Sequence, residues 1–176
     1  MLSSPQEPKV AKLPPEFERY VFINCPFDDE YVPIFEAVVF AVHDAGFRPK
    51  CARERLDSSE IRLQKIVDLI RSSRYSIHDL SRTELDQATA LPRFNMPLEL
   101  GIDLGCKIRK SRSRACVTGY ARNRMRRCRG GAVIYDRYER FRCELPALCD
   151  QLRLDVNDLP FVDFSLAIAL WLQQQS

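Results

Sequence analysis

Between Arg19 and Gly105 the chain alternates three times between a short apolar run and a longer stretch whose apolar residues return every three or four positions. Few architectures satisfy that alternation. Arg19-Tyr-Val-Phe-Ile-Asn-Cys25 is largely β-branched and aromatic, which predicts a buried strand. Pro26-Phe-Asp-Asp-Glu30 is a turn whose acidic residues suit a helix start. From Tyr31 to Ala45, Ile34, Phe35, Val38, Val39 and Val42 recur at helical spacing, and Gly46 is placed to close the helix. Phe47–Cys51 predicts a second strand, an edge strand because of Pro49. Asp57-Ser-Ser-Glu60 is a capping-box pattern, and Ile61, Ile66, Leu69 and Ile70 predict a second helix over 58–72. Tyr75-Ser-Ile-His-Asp79 predicts a third strand. Leu80–Asn95 reads as a polar loop, and Pro97 suits the first turn of a third helix running through Glu99 to Gly105.

The order β-α-β-α-β-α is the signature of a parallel sheet covered on both faces. The expected fold class is α/β, a flavodoxin-like three-layer α/β/α sandwich with a short parallel sheet of four to five strands. Either Ala115–Tyr120 or Ala132–Tyr135 would supply a fourth strand. Tyr138, Phe141, Leu145, Leu148 and Leu152 form a helical stripe in spite of Pro146. Phe161–Leu172 predicts a closing helix with Phe164, Ile168 and Trp171 inward. Residues 1–18 read as a flexible polar lead and 19–176 as one domain, large enough to bury a real core. Ligands bind at the carboxyl ends of the strands in such sheets. Three segments should therefore converge: Asn24–Asp28, Asp79–Arg82 and Asn95–Glu99.

The net charge of +3 hides an asymmetry. No acidic residue occurs between Asp103 and Asp136, and Cys106–Arg129 holds eight arginines and two lysines. Residues 106–130 therefore read as a basic, irregular insertion in an otherwise mildly acidic domain. Nucleic-acid binding through 106–129 is one reading. Aromatics are scarce there, with Tyr120 alone interleaved, and a solvated loop is the commoner outcome. Arginine and cysteine enrichment with lost periodicity is also what a locally shifted reading frame produces. The seven cysteines form no CxxC pair and accompany no export signal, so reduced thiols and a cytoplasmic setting are expected. With two histidines, a zinc site is disfavoured. No apolar run reaches the ~20 residues of a membrane helix, so no membrane partner is expected. Neither a Walker loop nor a GxGxxG is present.

Tyr-Val-Phe-Ile-Asn-Cys-Pro-Phe (20–27), Asp79-Leu-Ser-Arg82 and Asn95-Met-Pro-Leu-Glu-Leu-Gly101 resemble nucleoside 2-deoxyribosyltransferase-like proteins. That fold is shared in outline by the TIR domains, many of which cleave NAD. The resemblance spans about residues 19–105. It looks closest to uncharacterised bacterial proteins with a Phe-Ile-Asn-Cys-Pro-Phe strand. In the deoxyribosyltransferases a Gly-Pro-Phe segment lines the nucleoside site, where this chain has Cys25-Pro26-Phe27. Their nucleophilic glutamate, followed by an apolar residue and glycine, matches Glu99-Leu100-Gly101, and an aspartate at the third strand's end matches Asp79. The family's Asp-x-Gly-Thr before the glutamate is replaced by Arg93-Phe-Asn-Met-Pro97.

The resemblance implies a nucleoside- or nucleotide-binding domain that cleaves or transfers an N-glycosidic bond. Such chemistry needs a carboxylate to trap or stabilise an oxocarbenium-like sugar and a second group to orient the sugar or assist the leaving base. Glu99 and Asp79 are the catalytic candidates. Alternatively, Glu99 supports its own helix dipole and Asp79 caps the following turn. The substrate-binding candidates are Asn24, Cys25, Pro26, Phe27, Asp28, Arg62, Ser81, Arg82, Asn95 and Met96. Phe27 and Tyr31 can stack on a base, and Tyr31 can equally be core. Arg82 or Arg93 can grip a phosphate, or neutralise Glu84 and Asp86. His78 more often packs or bonds to backbone than catalyses. No resident cofactor is implied, and NAD enters only as a substrate. Two other readings stand beside the enzyme: a non-catalytic TIR-like nucleotide sensor or scaffold that self-associates, and the nucleic-acid binder.

Overall fold

A computed structural model describes residues 16–26, 28–52, 62–80, 95–108 and 129–175. After one 3-10 turn at Phe17–Arg19 the order is β1 (Tyr20–Asn24), α1 (Val32–Asp44), β2 (Arg48–Cys51), α2 (Arg62–Arg71), β3 (Tyr75–His78), α3 (Asn95–Ile108), α4 (Arg129–Leu152) and α5 (Phe161–Gln174). Among the described residues the sheet has three strands rather than four to five, all parallel, in the order β2-β1-β3. β1 lies in the middle, with Val21 opposite both Pro49 and Tyr75, and Asn24 opposite His78. Pro49 thus sits where its missing N–H is tolerated, on a strand paired through β1 alone among the described residues.

Alternation along β1 sends its side chains to two different cores. Val21, Ile23 and Cys25 join Phe35, Val39, Phe40 and Val42 of α1 and the inner faces of α4 and α5. Phe22 joins Ile66, Leu69 and Ile70 of α2, with Ile102 and Cys106 of α3 packed against them. Helices therefore cover both faces. The first core is the larger and holds an aromatic knot: Phe40 lies 5.5 Å from both Tyr138 and Phe141 and 5.9 Å from Trp171 between ring centroids. Phe141 meets Phe164 and Trp171 edge-on, both at 5.8 Å. The Trp171 indole donates to Glu144 at 2.7 Å, so the one polar atom of that ring is served.

The stripe Tyr138, Phe141, Leu145 and Leu148 is buried on α4 as its spacing predicts, and α4 runs through Pro146. Phe164, Ile168 and Trp171 face inward from α5. One expectation is overturned: Ala132–Tyr135 is not a strand but belongs to the early part of α4. Its β-branched composition is local, whereas the stripe that follows gains more by continuing as one helix against α1. Ile134 and Tyr135 are left exposed as a result. The alternative strand, Ala115–Tyr120, and the capping box Asp57–Glu60 lie outside the described residues, as does most of the basic segment. Phe17 is buried and its carbonyl accepts from Arg74 N–H at 3.2 Å, so packing against the sheet starts ahead of β1. No described helix is long and apolar enough to cross a membrane.

Two helices end in the same way with different residues. After α1, Gly46 has φ +80°, its N–H donates to the His43 carbonyl at 2.9 Å, and Phe47 N–H donates to Val42 at 3.0 Å. After α4, Arg153 has φ +58°, with Arg153 N–H on Asp150 and Leu154 N–H on Cys149. Both are Schellman closures, and only glycine adopts the left-handed region without a Cβ penalty. Gly46→Ala is expected to lower stability by about 1 kcal/mol and Arg153→Gly to raise it by a smaller amount, since unfolded glycine retains more entropy. Urea unfolding of the two variants checks both signs.

His43, on α1, is partly buried and shares a 2.7 Å hydrogen bond with Ser165 of α5. Burial, reinforced by the Arg48 guanidinium, pushes its pKa down to about 4. The unfolded chain then binds the proton first, so this contribution to stability is complete above about pH 6.5 and lost as pH falls toward 4. Thermal unfolding across pH 4–7 should show that loss, with a shallower slope in His43→Gln.

Candidate functional site

Seven buried polar or charged side chains stand among the described residues: Asn24, Ser73, Ser76, His78, Asp79, Glu99 and Asp103. All but Ser73 lie on β1, on β3 and its end, or on α3. Burying a carboxylate costs several kcal/mol unless donors hold it, so three buried acids at one edge of a small sheet mark a place where the fold departs from its cheapest solution.

Asn24 ends β1 and His78 ends β3, opposite each other in register. Both follow Phe22 and Ser76 toward the α3 face. The Asn24 amide nitrogen lies 3.0 Å from His78 Nδ1 and donates to the Met96 carbonyl oxygen at 3.3 Å. His78 Nε2 lies 2.9 Å from Asp103 Oδ2, and the Ser76 hydroxyl donates to the same oxygen. His78 and Asp103 are both fully buried. Phe22 meets the His78 ring edge-on at 6.0 Å.

Asp79, one residue beyond β3, is buried, and its N–H still donates to the Asn24 carbonyl at 2.8 Å. Its carboxylate accepts a hydrogen bond from the Tyr31 phenol. Tyr31 is itself packed in the larger core and precedes α1. Asp28 supports it: Oδ1 accepts from Tyr31 N–H at 3.1 Å, so Asp28 shapes the turn into α1. One aromatic side chain thus joins the apolar core to the sheet edge through its hydroxyl.

Glu99 lies in the second turn of α3 and is 7% exposed. Met96, Glu99 and Asp103 are spaced three and four residues apart, one face of the helix, and all three are buried. Met96 is tied to the tip of β1 and Asp103 to β3, so Glu99 occupies the turn between two anchor points. It does not project into bulk water.

The expected residues divide accordingly. Asn24, Asp79 and Met96 meet at the carboxyl edge, and Glu99 is buried on the same face of α3 as Met96. Cys25 follows Val21 and Ile23 into the apolar core under α1, and Pro26 is buried beside it. Asp28 is occupied with its turn. Asn95 opens α3 and is exposed. Arg62 opens α2, with its side chain outside the described residues; Phe27, Ser81, Arg82 and Arg93 lie outside them altogether. His78 is fully buried and bonds the Asn24 and Asp103 side chains. Asp103 and Ser76 escaped the sequence reading. The only signal for Asp103 is an acid on the apolar face of α3, one turn beyond Glu99.

Tyr31→Phe keeps the ring in the core and removes the donor to Asp79. A bond to a charged group contributes roughly 1.5–3 kcal/mol, and that loss is expected in urea unfolding, with a smaller one in an Asp79→Asn background. Equal losses in both backgrounds would show that the two groups do not interact. Compared with models of known families, with curated proteins and with solved structures, the chain gives no match, so the chemistry of this edge rests on its own residues.

Proposed function

We propose that the chain binds a nucleoside or nucleotide at the carboxyl edge of its sheet and cleaves or transfers the N-glycosidic bond. The observation that carries this reading is the burial of Glu99 on α3 between Met96, whose carbonyl meets the tip of β1, and Asp103, which meets β3. A carboxylate screened from water interacts strongly with developing positive charge. Glycosidic cleavage makes the sugar oxocarbenium-like, and a buried glutamate serves as nucleophile or as stabilising anion. Asp79, steadied by the Tyr31 hydroxyl, orients the sugar hydroxyls. Arg82 would engage a phosphate where the substrate has one. NAD belongs to the same substrate class, as a dinucleotide with an N-glycosidic bond to nicotinamide.

The architecture is compatible with this role. Helices on both faces of a parallel sheet support a three-layer sandwich of flavodoxin type, in which ligands sit at the strand ends. The five described cysteines are free thiols, which supports a reducing, cytoplasmic setting.

Incubation with NAD and with ribo- and deoxyribonucleosides, followed by chromatography for released base, tests the proposal. Base release is expected from the wild type. Glu99→Gln keeps the size and burial of the side chain and is expected to lower kcat by about 10²–10⁴-fold. Turnover that survives Glu99→Gln would remove this mechanism.

A further inference from the structure

The polar layer between β1, β3 and α3 has a direction that its hydrogen bonds determine. The Asn24 amide nitrogen faces the Met96 carbonyl oxygen at 3.3 Å. A carbonyl only accepts, so the amide must present its NH2 group there; the reversed amide would set oxygen against oxygen. The second hydrogen of that NH2 group points at His78 Nδ1, 3.0 Å away, which makes Nδ1 the accepting nitrogen. The proton of the neutral ring is then on Nε2, from which it is donated to Asp103 Oδ2 at 2.9 Å. Ser76 adds a second donor to the same oxygen.

We propose that Asn24, His78 and Asp103 form a relay that fixes the start of α3 on the tip of β1 and so positions the Glu99 carboxylate. The relay holds α3 at two points, the Met96 carbonyl one turn before Glu99 and the Asp103 carboxylate one turn after it. Rotation or sliding of the helix that moved Glu99 would break both. Asn24, His78 and Asp103 bond one another, the Met96 carbonyl and the Ser76 hydroxyl, and act on Glu99 through α3, so they are positioning residues. Their functional consequence rests on the reading of Glu99 given above. A misplacement of about 1 Å at a reacting group can cost about 10²-fold in rate, which sets the expected size of the effect.

Nitrogen-15 NMR of the intact chain tests the relay. The chain has two histidines, so His43→Gln assigns the ring signals of His78. The wild type is expected to show a pyrrole-type Nε2 and a pyridine-type Nδ1. Asp103→Asn, whose amide oxygen still accepts from Nε2–H, should keep that tautomer and most of kcat. Asn24→Leu removes the donor to Met96, and should speed hydrogen exchange of the α3 amides at Leu98–Leu100 and lower kcat by about 10²-fold with little change in KM. A His78 proton on Nδ1, or α3 exchange unaltered in Asn24→Leu, would overturn the relay. If Asn24→Leu does not fold, the wild-type tautomer decides alone. Tautomer and exchange need no turnover, so a wild type that releases no base defeats the glycosidic reading while the relay is still judged. A wild type that turns over with Nδ1 protonated defeats the relay alone.

Discussion

The docking of α3 on the sheet is the constraint from which the rest of the edge follows. Among the described side-chain bonds, Asn24 to the Met96 carbonyl and His78 and Ser76 to Asp103 hold it, and they lie on the α2/α3 face of the sheet, where the apolar cluster is small. The opposite face carries the aromatic knot of α1, α4 and α5. The two faces therefore do different work. Apolar burial scales with area and tolerates small displacements. A buried hydrogen bond contributes only about 0.5–1.5 kcal/mol net but loses far more when its partner moves away. The larger core supplies stability, and the polar face supplies one position for α3. A helix docked by apolar contacts alone would have neighbouring registers of similar energy; one docked through an amide and an imidazole does not.

Tyr31 couples the two faces. Its ring is counted in the aromatic side's core while its hydroxyl reaches Asp79 at the end of β3. The turn that sets Tyr31 depends on Asp28, which accepts its N–H. The acidic stretch after β1 is thus tied to the site indirectly: it aims a phenol, and the phenol holds the carboxylate.

How much of this was readable in the sequence follows from which physics is local. The helical stripes Phe35/Val39/Val42 and Phe141/Leu145/Leu148 repeat within their own segments, so α1 and α4 could be seen without a partner. Pro49 announced an edge because a missing N–H is a property of one residue. Ala132–Tyr135 misled for the same reason: its composition is that of a strand, and the tertiary contact that makes it helical lies on the residues after it. Asp79 and Glu99 were found by motif, and the structure buries both. Asp103 was invisible, since an acid inside a helix says nothing until the residue opposite it is known, and that residue, His78, is 25 positions away. Tyr31 could be read as stacking platform or core residue because both use the same ring; only the position of its hydroxyl separates them.

The kind of donor that serves the buried acids bears on the chemistry proposed for the edge. The donors described for Asp79 and Asp103 are a phenol, a hydroxyl and an imidazole. On the tautomer derived from Asn24 the imidazole is neutral. Neutral donors satisfy carboxylate oxygens without cancelling their charge, whereas arginine or lysine would do both. A carboxylate served by neutral donors acts more strongly on a developing positive charge than one paired with a cation, and more strongly in a low-dielectric site than in water. On the proposed reading the sugar belongs against Glu99 and Asp79.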